Sequence, residues 1–81
     1  MSLSARDWLD RYAAAIGTDA PSAEEVDSVL GLAGIAAHAS ERTAAPVSCW
    51  LAARAGLTFT EALEAASALA GSLEEDDQPD V

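Results

Sequence analysis

Eighty-one residues and 8.3 kDa suffice for one small domain and leave no room for a second core. The hydrophobic fraction of 51% is largely Ala, which favours closely packed helices over a bulky core. A formal net charge of −10, with 14 acids against four basic residues that are all Arg, excludes free nucleic acid and an anionic membrane surface as expected partners, since both need a cationic patch.

Four segments repeat apolar residues at helical spacing. The first is predicted over 4–16. Ser4 with Asp7 three residues on resembles a capping box with the shorter acid, and Trp8, Leu9, Tyr12, Ala13 and Ile16 share one face. Arg6 with Asp10 and Asp7 with Arg11 pair at i,i+4 on the other face, and Gly17 suits the position after the last turn.

The second is predicted over 23–40, opened by the full Ser22-x-x-Glu25 box. Val26, Val29, Leu30, Ala33 and Ala37 form its expected inward stripe. A second strip of Leu32, Ile35, Ala36 and Ala39 covers much of the remaining circumference, so this helix is either central or shared with a partner. Gly31 and Gly34 each cost about 1 kcal/mol relative to Ala inside a helix, and close approach of another backbone is the expected compensation. The Leu32 and Ile35 strip is accordingly the candidate docking surface, with Gly31 and Gly34 beside it, unless the second helix is the centre of the bundle and the third and fourth helices cover that strip, a reading of equal standing.

The third helix is predicted over 46–55, with Pro46 at its first position, Gly56 as its stop, and an inner line of Val47, Leu51 and Ala55 alongside Trp50. The fourth, over 59–73, opens with the box Thr58-x-x-Glu61 and repeats Phe59, Ala62, Leu63, Ala66, Leu69, Ala70 and Leu73. Nothing alternates long enough to be a strand. The expected fold is therefore all-α, an up-and-down four-helix bundle over 1–73, with 74–81 a disordered acidic tail that holds Glu74, Glu75, Asp76, Asp77 and Asp80. So small a domain buries only about 60% of its unfolded surface, and homodimerisation through the second helix is one way to cover the remainder.

A lone Cys49 makes no intrachain disulfide, the first residues lack the apolar stretch of a secretory signal, and no run reaches the ~20 residues of a bilayer span. The expectation is a cytoplasmic protein. His38 near the end of the second helix reads as a dipole-complementing residue, and Cys49, opposite Val47 and Leu51 on the wheel, as a small packing residue; the two do not form a metal-ligand or nucleophile–base spacing. No cofactor, metal or catalytic residue is expected. Arg54 falls inside the apolar arc of the third helix, where it can stack on Trp50 one turn earlier.

Asp27-Ser28-Val29-Leu30 resembles the Asp-Ser-Leu segment at which carrier proteins accept a phosphopantetheine arm, and a small acidic four-helix chain is the carrier body plan. An acyl-carrier-like protein modified at Ser28 is thus the alternative to an interaction module. The Ser22 box counts against it by placing Ser28 inside the helix rather than at its start.

Asp7-Trp-Leu9 leading to Ile16-Gly17, followed by His38-Ala-Ser-Glu-Arg42, Ala44-Ala-Pro-Val47 and Trp50-Leu-Ala52 through Ala55-Gly56, resembles a small actinobacterial domain of unknown function. That domain occurs alone, or fused to or encoded beside the guanylyltransferase of molybdenum-cofactor biosynthesis. The resemblance spans about 7–73, with Thr43 standing where Pro is common and Ser48-Cys49-Trp50 replacing a Thr-rich step into Phe. It implies a setting, molybdopterin-guanine dinucleotide biosynthesis, with an enzyme of that pathway as protein partner, and it implies no catalytic residue. Nucleotidyl transfer by this chain is not expected, because it has no Gly-rich nucleotide loop.

Overall fold

The computed structural model describes residues 3–76. Over them the chain forms four helices and no strand: α1 (Ala5–Ala15), α2 (Ala23–Ala39), α3 (Ala44–Arg54) and α4 (Phe59–Asp76). The fold is a small all-α bundle.

The helix ends follow the capping chemistry. The Ser22 hydroxyl accepts from the Glu25 N–H at 3.1 Å while the Glu25 carboxylate accepts from the Ser22 N–H at 2.8 Å. Thr58 and Glu61 repeat the exchange at 3.1 and 2.9 Å. Together these bonds satisfy donors at the helix start that have no acceptor of their own. At α1 only half of the motif forms: Ser4 accepts from the Asp7 N–H at 3.0 Å, with no return bond from the Asp7 side chain.

Gly17 and Gly56 take φ of +77° and +73°, which an L side chain rarely adopts. Each closes a Schellman pair. Gly17 and Thr18 donate to the Ala14 and Ala13 carbonyls, and Gly56 and Leu57 donate to those of Ala53 and Ala52.

Two boundaries differ from expectation. α3 begins at Ala44, because a turn in which Ala44 and Ala45 donate to the Glu41 and Arg42 carbonyls starts the coil early. Pro46 then occupies the third position of the first turn, where its missing N–H is no loss. α4 continues to Asp76, so the segment 74–76, expected in the tail, is helical. Residues 77–81 of the expected tail lie outside the described residues.

α2 is the hub, with α3 and α4 packed against it. α1 is peripheral and lies near the N-terminal half of α2, where Leu9 shares a hollow with Val26, Val29 and Leu30. The radius of gyration is 15.3 Å and the extents are 54 × 31 × 18 Å. A compact domain of this length has a radius of roughly 12 Å.

The faces turned inward are the small ones. Leu32 is 8% exposed and Leu30 is 63% exposed: α3 and α4 cover the Leu32 and Ile35 strip, the arrangement in which α2 is central, while of the expected inward stripe Val26, Ala33 and Ala37 are half-buried and Val29 and Leu30 face solvent. On α3, Ala45, Ser48, Cys49 and Ala52 are half-buried, and the expected inner line of Val47, Leu51 and Ala55 is exposed. On α4, Ala62 is buried and Leu63, Ala66 and Ala70 are half-buried, but Phe59, Leu69 and Leu73 are exposed. Helices pack 8–10 Å apart according to the residues at the contact, and Ala allows the shorter spacing.

Candidate functional site

Among the described residues, the buried apolar side chains are Ala13, Leu32 and Ala62. Thirteen large hydrophobic residues are exposed; of those described, only Leu9, Val26, Leu32, Ile35 and Leu63 are not. The largest chemical feature of the molecule is thus uncovered apolar surface, and it falls into three parts.

The first is a groove between α2, α3 and α4 of about 380 Å³. Leu32 and Ile35 form its floor on the α2 side, Leu51 and Leu57 rise on the α3 side, and Leu69 and Leu73 rise on α4. Small residues such as Ala39, Ala55 and Ala66 leave hollows between them, and no charged side chain among the described residues lines the groove. Leu32 is therefore a buried residue at the bottom of the groove rather than part of an exposed strip, and Ile35 is half-buried beside it. The glycines expected to admit a neighbouring backbone do not do so within the chain. A Cβ on Gly31 would sit 3.5 Å from the Leu63 Cδ2, an ordinary contact, and one on Gly34 would meet nothing within 4 Å.

The second part is the outer face of α3. The Arg54 guanidinium lies 4.4 Å from the centroid of the Trp50 ring, the stack expected from their i,i+4 spacing, and Trp50 is 58% exposed. The third is the outer face of α1, where Trp8 and Tyr12 stack with centroids 5.9 Å apart and Ile16 continues the line. Arg6 and Asp10 pair at 3.2 Å on the same helix, the only ion pair among the described residues; the expected Asp7–Arg11 pair is not formed.

The groups with chemical potential are scattered. The Cys49 thiol points at the Val29 carbonyl with 3.8 Å between Sγ and O, and burial pushes its pKa up, so it is held as the neutral thiol. His38 is exposed at the far end of α2, in a hollow shared with Glu74. It stands nine residues from Val29, or roughly 14 Å along the helix axis. Ser28 is half-buried in the second turn of α2 and lines a hollow with Cys49 and Phe59. No group of three or more His, Cys, Asp or Glu among the described residues could hold a metal ion, and no helix is long and apolar enough to cross a membrane.

Residues that the wheel placed inside, Leu51, Leu69 and Leu73, are thus part of the site. Their signal was the local excess of Ala, which marks the true contact lines. Residues 2–78 match the model of a family described as a domain of unknown function, DUF6457. No curated protein and no solved structure gives a significant match to the chain.

Proposed function

Because the chain belongs to the DUF6457 family of unknown function, we propose that it is a non-catalytic helical interaction module, accessory to molybdopterin-guanine dinucleotide biosynthesis, whose partner is an enzyme of that pathway. The observation that supports the module reading is the thirteen exposed large apolar side chains on a domain whose buried apolar residues, among those described, are Ala13, Leu32 and Ala62. Contiguous apolar surface on a small protein marks contact with another molecule. The outer face of α3 is the docking point: Trp50 and Arg54 are of the types that dominate binding energy at interfaces, and they are stacked and exposed. The biosynthetic setting rests on the sequence resemblance alone. The carrier reading is less favoured, because an acceptor serine must enter a transferase site and Ser28 is half-buried within a helix.

The test is affinity capture from a native lysate with the full chain, beside a Trp50→Ala/Arg54→Ala variant. The expected result is recovery of a cofactor-synthesis enzyme by the parent and not by the variant, and a loss of molybdoenzyme activity on deletion. Recovery of no such enzyme together with unchanged molybdoenzyme activity would remove the reading. In the same preparation, an intact mass increased by a phosphopantetheine arm after co-expression with a phosphopantetheinyl transferase would replace it with the carrier.

A further inference from the structure

We propose that the trough between α1, the N-terminal half of α2 and the start of α4 is a docking site for a basic amphipathic segment of another protein, which seats apolar side chains in the trough and a Lys or Arg at its α1 end. The inference goes beyond the Trp50 and Arg54 face and assigns a second surface.

The trough is made of two hollows. Leu9 of α1, Val26, Val29 and Leu30 of α2 and Phe59 of α4 surround the first, of about 380 Å³. Val29 and Phe59 also line the second, of about 250 Å³, which runs on to Ala53 and Leu57 at the end of α3. The two therefore meet. Leu30 is 63% exposed and Phe59 43%, so the walls stand open to solvent. A small-molecule site encloses most of its ligand, whereas an open apolar channel between helices takes a helical segment through successive apolar anchors.

Charge selects the occupant. The charged residues lining the first hollow are Asp19 and Glu25, both carboxylates. The Ser22 N–H donates to one Glu25 oxygen at 2.8 Å and so fixes that carboxylate at the rim. No guanidinium among the described residues lines either hollow; Arg6 lines a different one and is paired with Asp10 at 3.2 Å. Over residues 5–30, six carboxylates stand against two guanidinium groups. A second copy brings a net −10, and a phosphate-bearing surface has the same sign as the rim, so both are repelled here. A Lys- or Arg-bearing apolar segment meets the rim with opposite charge and the walls with matching polarity, and the field of the acidic chain steers it in.

The probe is a fluorescent peptide of Leu and Lys at helical spacing, about four turns long, titrated with the full chain at ~0.15 M salt and read by anisotropy. Saturable binding that weakens as salt rises is expected, and at least ten-fold weaker binding of the same peptide with Glu in place of Lys. Asp19→Asn should weaken binding about two- to five-fold, the range of one exposed charge pair, and Leu30→Ala roughly ten-fold. Glu74→Gln and Leu69→Ala lie away from the trough and should change nothing. Should a variant unfold, backbone amide shifts of the parent chain still locate the peptide, and they should concentrate at residues 26–30 and Phe59.

Equal binding of the Glu peptide would overturn the proposal, as would Glu74→Gln weakening binding as much as Asp19→Asn while Leu30→Ala does nothing, the pattern of diffuse attraction to an acidic surface. Amide shifts confined to α3 or to the surroundings of Leu69 would overturn the assignment of the face. Binding of octylammonium as tight as that of the peptide would overturn the assignment to a protein segment. The functional reading fails separately: a chain that captures its enzyme through Trp50 and Arg54 but ignores the peptide sinks only this proposal, and one that binds the peptide in the trough but captures no cofactor-synthesis enzyme sinks only the function.

Discussion

Arg54 lies over the ring of Trp50 with 4.4 Å between the guanidinium carbon and the ring centroid, and the pair faces solvent. An exposed cation–π contact contributes about 0.5–1 kcal/mol. Arg54→Ala should therefore lower stability by no more than that while shifting the emission of Trp50, a change to be read by fluorescence in a Trp8→Phe background. A loss of several kcal/mol in a denaturant melt would show that Arg54 supports the fold rather than the surface.

The contrast between Leu32 and Leu30 on α2 gives a sharp pair of variants. Leu32→Ala removes the only large side chain in the buried set and should cost about 2–5 kcal/mol, enough to unfold much of so small a domain. Leu30→Ala, one helical strip away and mostly exposed, should change stability by less than about 1 kcal/mol. Urea melts of both variants check the order, and equal losses would contradict the arrangement of α3 and α4 on α2.

At the glycines of α2, Ala should be an improvement. Gly31→Ala places its methyl 3.5 Å from the Leu63 side chain and Gly34→Ala meets open space, so each should recover up to about 1 kcal/mol of helix propensity. A lower melting temperature for Gly34→Ala would reveal a neighbour that approaches that face in solution.

The Thr58–Glu61 box confers a pH dependence of definite sign. The Thr58 N–H, which donates to the Glu61 carboxylate at 2.9 Å, and then the Thr58 side chain hold the Glu61 carboxyl below its ordinary range. A carboxyl depressed in the folded state stabilises it above the unfolded-state pKa and loses that effect as pH falls through the folded value. Glu61→Gln should thus melt lower than the parent at pH 7, and the gap should close below the folded-state value, as seen in paired CD melts. Thr58→Ala should cost about 1 kcal/mol at neutral pH.

Burial raises the Cys49 pKa, and the thiolate is the reactive species. Alkylation of the folded chain at pH 7.5 should run several-fold slower than in denaturant, followed by intact mass. Equal rates would mean that α3 leaves the thiol open.

The helix ends were legible in the sequence because capping is local. Ser22 with Glu25, Thr58 with Glu61, Gly17 and Gly56 all act within four residues of the end they mark, and the helices stop and start accordingly. Which face turns inward was not legible for α2 and α3. Hydropathy assigns Val47 and Leu51 to the interior of α3, yet a short helix laid closely on α2 is held off by large side chains and admitted by Ala45, Ser48 and Ala52. On α2 two apolar strips compete, and only the placement of α3 and α4 decides between them. The Trp50–Arg54 stack was readable because both residues lie on one helix, whereas the groove is assembled from three.

The short span between α1 and α2 has a mechanical consequence. The N–H groups of Gly17 and Thr18 are tied back to α1, and that of Ser22 is tied forward to Glu25. Pro21 fixes its own φ and restricts Ala20. Asp19 is left as the least constrained residue between two rigid rods, so a change in its torsions steers all of α1 at once. A turn of about 20° there would carry Trp8, at the far end of the lever, through roughly 5 Å without breaking a helical hydrogen bond.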